Sequence, residues 1–325
     1  MTESICQKTN MKTISILLPT YNEEDNVLPL YGALREQLAA LGERYDYEIV
    51  FIDNKSTDST RAKLEQLCAR DRRVKAIFNT RNFGGMCNSP FYGIQQTSGD
   101  CTIAMCADFQ DPPELLPRMV AAWEQGYKIV CMAKANSRTR GLLRVLRTVY
   151  YKAIHRFSNI GIIENFNGMG LYDKSVIDAI RKLDDPEPYF SGIVAEAGFD
   201  RIVLPYTQAK RHTGKSSNNF FTLYDYAMRG ITAYTKAGLR AGSVLGLVIS
   251  AASFAAALAC LILKLTNWDQ YPAGMAPLLI GMFFLGGVQL FFLGLLGEYI
   301  ISIQRRITRR PLVIEERRVN FDEDT

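Results

Sequence analysis

An α/β fold with a doubly wound, mostly parallel sheet is predicted for the first two-thirds of this 325-residue chain, with a pair of membrane-crossing helices after it. Three observations carry this. Short apolar runs alternate with amphipathic helical stretches from Ile14 to Ala133, as in βαβ units. The runs end in loops rich in Asn, Asp, Ser and Gly, and right-handed crossovers put such loops on one edge of a sheet. Beyond Arg240, the stretches Ala241–Leu263 and Ala276–Ile303 are apolar almost throughout, and about 20 such residues suffice to cross a bilayer.

Taken in order, Ile14–Leu18 is a buried strand ending at Pro19, followed by the loop Thr20–Asn26. The next helix runs through Leu41, with Leu30, Leu34, Leu38 and Leu41 at helical spacing. Tyr47–Ile52 is a second strand, closed by Asp53-Asn54-Lys55-Ser56-Thr57-Asp58, where Ser56, Thr57 or Asp58 caps the helix Arg61–Ala69. Val74–Phe78 is a third strand, leading into Asn79–Gly85. A short helix through Gln96 and the turn Ser98-Gly99-Asp100 then deliver Cys101–Glu114. There a run of small apolar residues turns into Asp108, Gln110 and Asp111, and Pro112 and Pro113 suit the first turn of a helix. Oxygen ligands clustered at a strand end suit Mg or Mn carrying a phosphorylated substrate. The alternative is an acidic loop that caps the next helix through Asp111. Lys128–Ala133 and Ile202–Tyr206 are further strands.

The net charge of +5 is modest, and no basic block is interleaved with aromatics, so a nucleic-acid partner is not expected. Seven cysteines show no metal spacing and sit mostly in apolar runs, which suits reduced thiols in a reducing compartment. The polar start MTESICQKTN lacks the apolar core of a signal peptide. Arg138–Ser158 is a basic amphipathic stretch that either lies on an anionic membrane or packs on its own domain. Phe220–Tyr234 carries aromatics next to Arg229, Lys236 and Arg240, as an interfacial helix does. Thr266–Gly274, between the two apolar spans, has no Lys or Arg, whereas Arg305, Arg306, Arg309 and Arg310 follow the second. That asymmetry puts both ends inside. The expected organisation is a cytoplasmic domain over 1–215, an interfacial helix over 216–240, two transmembrane helices at about 241–264 and 276–303, and a cytoplasmic tail over 304–325.

The loops after the first four strands bring Thr20, Tyr21, Glu23, Asp53, Asn54, Arg81, Asp108 and Gln110 to one crevice. A nucleotide needs acceptors for its base and ribose, a cation for its phosphates and a metal bridge; Asp53, Arg81 and Asp108 supply one of each. No GxGxxG follows the first strand, and Gly214-Lys215-Ser216 has Ala209 where a phosphate loop needs glycine. Lys210, Arg211, His212 and Lys215 form either a mobile phosphate clamp or a solvated basic loop.

Pro19-Thr20-Tyr21-Asn22-Glu23-Glu24, Asp53-Asn54-Lys55-Ser56-Thr57-Asp58, Arg81-Asn82-Phe83-Gly84 and Ala107-Asp108-Phe109-Gln110-Asp111-Pro112-Pro113-Glu114 together resemble glycosyltransferase family 2. The resemblance is to its polyprenyl-phosphate branch, the bactoprenol glucosyltransferases and dolichol-phosphate mannose synthases, and it runs from about Thr13 to Phe321. It implies a GT-A fold, a UDP-sugar donor, a Mg or Mn ion, and a polyprenyl phosphate acceptor in the lipid of a bacterial inner (cytoplasmic) membrane. It also implies a homotetramer. Donor contacts then fall on Pro19, Thr20, Tyr21, Glu23, Asp53, Asn54, Arg81, Ala107 and Asp108, and the metal on Asp108 and Gln110. Asp108, Arg81 and Lys215 take the catalytic roles, and Lys210, Arg211 and Lys215 clamp the lipid phosphate. The chain departs from the pattern at Cys106, where the family has a second Asp, and at Gly168, where a later motif has its Asp. A phosphate acceptor is already ionised, its second pKa being about 6, so no general base is required. Positioning and charge neutralisation at the departing diphosphate are what remain. The expected reaction is inverting transfer of a hexose, glucose first among them, for cell-surface polysaccharide modification. The alternative is a catalytically degenerate nucleotide-sugar-binding membrane scaffold. A processive polysaccharide synthase is disfavoured, because such enzymes carry Gln-x-x-Arg-Trp and neither Trp123 nor Trp268 follows an Arg.

Overall fold

Continuous burial along the inner strands decides the layering. The computed structural model of the protein describes residues 11–84, 88–135, 161–183, 185–209, 220–235, 275–308 and 310–321, with scattered residues between 148 and 156 and between 244 and 266. The strands are β1 (Lys12–Thr20), β2 (Tyr45–Asp53), β3 (Val74–Asn79), β4 (Cys101–Ala104), β5 (Ile129–Lys134), β6 (Gly170–Asp173), β7 (Arg201–Tyr206) and β8 (Glu315–Val319). They form one sheet in the order β7-β5-β6-β4-β1-β2-β3-β8. β4, β1, β2 and β3 are mutually parallel, as are β5 and β7, while β6 and β8 run antiparallel to their neighbours.

Helices cover both faces, which is what strands apolar on both sides require. On one face α1 (Val27–Ala40), α2 (Thr60–Arg70) and α4 (Leu116–Glu124) bring Leu30, Leu34, Leu64, Met119 and Trp123 onto Ile14, Ile16, Ile49 and Phe51. On the other, α3 (Asn88–Gln95), α5 (Lys174–Leu183) and α6 (Phe190–Glu196) bring Phe91, Ile177, Ile180 and Ile193 onto Leu17, Val50, Ile52 and Ile129. Each such side chain, fully buried, contributes about 1.5–3 kcal/mol of transfer free energy.

The edge opposite the expected crevice is closed by one buried carboxylate. Glu48 accepts from Ser15 Oγ at 2.5 Å, Ser98 N at 2.7 Å and Ser98 Oγ at 2.9 Å, and pairs with Lys75 at 2.7 Å. Gly99 lies against this cluster; a Cβ there would sit 2.6 Å from Ser15 Oγ and 2.7 Å from the Thr13 carbonyl.

The helix predicted over 220–234 is α7 (Phe220–Tyr234), and the second apolar span is α8 (Met275–Thr308). α8 contains a candidate membrane span, Phe284–Thr308, with mean hydropathy 1.7 and no part of that window buried. Among the described residues it is the one helix long and apolar enough to cross a bilayer. Most of 138–158 and half of the first span, 241–264, lie outside the described residues, as do Lys210, Arg211, His212 and Lys215. Part of the segment expected as a tail belongs to the sheet instead: β8 pairs with β3, and the Thr80 N–H donates to the Ile314 carbonyl at 3.0 Å. Its residues Glu315-Glu316-Arg317-Arg318 are too charged for an apolar strand pattern, but at a sheet edge charge is tolerated.

Candidate functional site

Because β4, β1, β2 and β3 are parallel neighbours, the loops at their C-terminal ends share one edge. The first two loops interlock. The Asn22 N–H donates to Ser56 Oγ at 2.9 Å, Thr57 N–H donates to Asn22 Oδ1 at 2.8 Å, and Glu23 N–H donates to Thr60 Oγ1 at 2.9 Å. Asn22 and Lys55 adopt positive φ, 55° and 61°, so each loop turns sharply where it meets the other. None of the three expected caps is the N-cap of α2, which is Ser59 with no side-chain cap; Asp58, one residue before it, accepts the Thr60 N–H at 3.0 Å.

Asp53 is fully buried at the end of β2. Ser56 donates to it through both N–H, at 3.1 Å, and hydroxyl, and Arg61 approaches its Oδ2 at 3.4 Å. Burial raises its pKa, against the lowering effects of Ser56 and Arg61. Asn54 is also buried, its Oδ1 accepting from Asn79 Nδ2 at 3.1 Å and from the Ser89 hydroxyl. Thr20 is buried and donates to the Ile52 carbonyl at 3.3 Å; Pro19 is half-buried beside it and Tyr21 is exposed. Glu23 Oε2 accepts from Asn26 Nδ2 at 2.5 Å. Arg81 projects from the β3 loop, exposed, with its guanidinium 4.1 Å from the Phe83 ring centroid.

The β4 loop is the most tightly built. Ala107 and Asp108 are buried, Phe109 has a φ of 58°, and Asp108 Oδ1 accepts the Gln110 N–H at 3.1 Å. Asp111 does not cap the following helix, whose first residues lack any side-chain cap. Instead its fully buried carboxylate turns inward. Oδ2 accepts the Cys106 N–H at 3.0 Å and Oδ1 accepts the Tyr206 hydroxyl at 2.8 Å. Burial raises the Asp111 pKa although these partners oppose the rise. The same burial, then Asp111 and Asp108, hold the Cys106 thiol well above its ordinary range, so it is protonated near neutral pH.

Gln110 points toward the next chain segment. Its Oε1 accepts from Gln208 Nε2 at 3.0 Å and its carbonyl accepts the Ala209 N–H at 3.1 Å. The loop that goes on to Lys210–Lys215 therefore leaves the sheet beside Gln110. Among the described residues no three His, Cys, Asp or Glu side chains converge as metal ligands. Asp108 and Gln110 are two side chains with oxygen donors, of which Asp108 Oδ1 and Gln110 Oε1 already accept hydrogen bonds within the protein. Such a small donor set fits a hard cation completed by waters and substrate phosphates.

The structure thus brings Pro19, Thr20, Tyr21, Glu23, Asp53, Asn54, Arg81, Ala107, Asp108 and Gln110 to one sheet edge. It also adds residues that the sequence did not single out: Arg61, Asn79, Ser89, Tyr206 and Gln208. Ser56, expected as a candidate helix cap, instead donates to Asp53 through its N–H and hydroxyl. Tyr206 and Gln208 had no local signal, lying 95 and 98 residues from their partners.

The family model described as glycosyl transferase family 2 matches residues 15–181. An uncharacterized glycosyltransferase of Synechocystis sp. is 32% identical over 93% of this chain and 94% of its own length. The SfII prophage-derived bactoprenol glucosyl transferase of Shigella flexneri is 33% identical over 93% and 96%. Among solved structures, a mannosyltransferase from Pyrobaculum calidifontis in complex with GDP-Man and Mn2+ is matched over 92% of this chain and 88% of its own. Sequence identity there is 15% and the TM-score 0.46.

Proposed function

This chain belongs to glycosyl transferase family 2, and we propose that it moves a hexose, most simply glucose, from a UDP-sugar to a polyprenyl phosphate at the cytoplasmic face of a membrane. The observation that carries this is the joining of four loops at one sheet edge to a long apolar helix. Four loops at one edge of the GT-A sheet present Asp53, Asn54, Arg81, Asp108 and Gln110, while α8 is bonded to the same domain through Arg305 and Glu187. Relatives named bactoprenol glucosyl transferase, similar along nearly their whole length, support the acceptor class.

Asp53 and Asn54 would receive the base and ribose; their side chains are held by Ser56, Arg61, Asn79 and Ser89. Asp108 and Gln110 would hold a divalent cation, Mg or Mn, which when bound neutralises charge on the leaving diphosphate. Arg81, with Lys210, Arg211 and Lys215, adds positive charge around the donor and acceptor phosphates. The acceptor phosphate is ionised at neutral pH and attacks without a general base. In-line attack from the face opposite the leaving group inverts the anomeric centre.

The test is transfer of label from UDP-glucose, UDP-galactose or UDP-GlcNAc to polyprenyl phosphate by the full chain in bilayers. Labelled lipid from one donor supports the proposal. Nucleotide binding with no labelled lipid from any donor overturns it in favour of a non-catalytic nucleotide-sugar-binding scaffold.

A further inference from the structure

Apart from Gln289 in mid-helix and the exposed Gln304, the polar residues of α8 cluster on one face of its last turns. Glu298, Tyr299, Ser302, Arg305 and Arg306 recur at spacings of three and four, and each is bonded to α7, to Thr235 just beyond it, or to the loop before α6. The Tyr224 hydroxyl donates to Glu298 Oε1 at 3.1 Å, the Tyr299 hydroxyl donates to the Thr235 carbonyl at 3.1 Å, and Arg306 lies 3.4 Å from Asp185. At the centre is Glu187, only 5% exposed. Arg305 Nη1 donates to it at 2.7 Å, Ser302 Oγ at 3.4 Å, and Arg229 of α7 approaches at 3.6 Å. Removing one partner of a buried ion pair is strongly destabilising. Glu187 therefore holds two helices to one loop of the transfer domain.

The length of α8 agrees with this division of labour. It has 34 residues, and the part ahead of Glu298 is about 35 Å long at 1.5 Å per residue, close to the ~30 Å hydrocarbon thickness of a bilayer. α8 is thus longer than a bilayer crossing needs, and the turns from Glu298 to Thr308, the C-terminal part of the candidate span Phe284–Thr308, are the ones bonded to the domain and α7.

We propose that Glu187 is a positioning residue that locks the end of the membrane helix to the transfer domain. The lock fixes the height of the donor crevice above the bilayer, where a lipid-borne phosphate must meet it. This rests on the acceptor reading above. Nothing in the lock touches the reacting groups, so its loss should matter only when the acceptor is itself held at a fixed height.

The experiment uses the full chain in nanodiscs with two acceptors: a long-chain polyprenyl phosphate embedded in the bilayer and a short-chain, water-soluble prenyl phosphate. Glu187→Gln and Arg305→Ala are each compared with wild type; Arg305 is half exposed, so its loss leaves the domain folded. Both variants are expected to lose about tenfold or more in kcat/KM on the embedded acceptor and less than about twofold on the soluble one. Equal losses on both acceptors, or no loss on either, would overturn the lock. If wild type transfers to neither acceptor, the proposed function falls by itself. The lock is then read by hydrogen exchange: faster exchange across 220–234 in Glu187→Gln supports it, and unchanged exchange refutes it.

Discussion

Replacing Tyr206 by Phe removes one hydroxyl and tests how the β4 loop is held. Tyr206 is 4% exposed and Asp111 0%, so no water replaces the 2.8 Å bond from the hydroxyl to Asp111 Oδ1. A hydrogen bond to a charged group contributes about 1.5–3 kcal/mol, and a buried acceptor left unsatisfied lies in the same range. At about 2–4 °C per kcal/mol for a domain of this size, the melting temperature should fall by roughly 3–12 °C. The loss should depend on pH. Burial raises the folded pKa of Asp111 above 3.8, so ionising it in the folded state weakens stability as pH rises through that folded pKa. The Tyr206 bond favours the ionised form, and its removal raises the folded pKa further. The difference between wild type and Tyr206→Phe should therefore be larger at pH 8 than at pH 5. Urea unfolding of the full chain, followed by fluorescence of the buried Trp123, measures it at both values. A difference that is the same at both pH values would refute an ionised Asp111 as the anchor of this loop.

Glu48→Gln should cost about 3–5 kcal/mol at pH 7, because Lys75 loses its buried counter-ion. Burial raises the Glu48 pKa, but Lys75, Ser15 and Ser98 outweigh it and hold the carboxyl below 4.5. That stability is present above 4.5 and is lost as pH falls through the folded value, so the mutational cost should shrink in acid; denaturant titrations at pH 7 and pH 4 read it. Gly99→Ala forces a Cβ to 2.6 Å from Ser15 Oγ and 2.7 Å from a backbone carbonyl, and should destabilise by about 1–3 kcal/mol in the same assay. Asp108→Asn should lower kcat about 100-fold or more while the melting temperature moves by only a few degrees, and wild-type-like turnover would remove Asp108 from the metal site.

The parallel part of the sheet was legible because its information is local. Ile14–Leu18, Tyr47–Ile52 and Val74–Phe78 are apolar runs with turn chemistry at their ends, and they became β1, β2 and β3 with boundaries shifted by a few residues. The crevice followed, since parallel order alone places the loops of Thr20, Asp53, Arg81 and Asp108 on one edge. β8 was not legible. Its residues Glu315-Glu316-Arg317-Arg318 carry four charges in succession, and only their partners explain them: Glu316 pairs with Lys55 at 2.7 Å and with Arg61 at 3.1 Å, and Arg318 donates to Gln96 at 2.8 Å.

Asp111 shows why the site itself was harder to read than the fold. An Asp just before Pro-Pro looks like a helix cap, because capping is the local use of such a residue. Its actual partners are Cys106, five residues back, and Tyr206, on a strand at the far edge of the sheet. Those contacts have a chemical consequence at Cys106. A carboxylate at that position would bring a further anion to the Asp108–Asp111 loop, next to a buried group whose ionisation burial already resists. A protonated thiol there adds no charge, and Asp111 can be spent on holding the backbone rather than on a cation. If Asp108 and Gln110 hold a cation as proposed, so small a protein donor set suits one that arrives with the diphosphate of its substrate rather than one bound permanently.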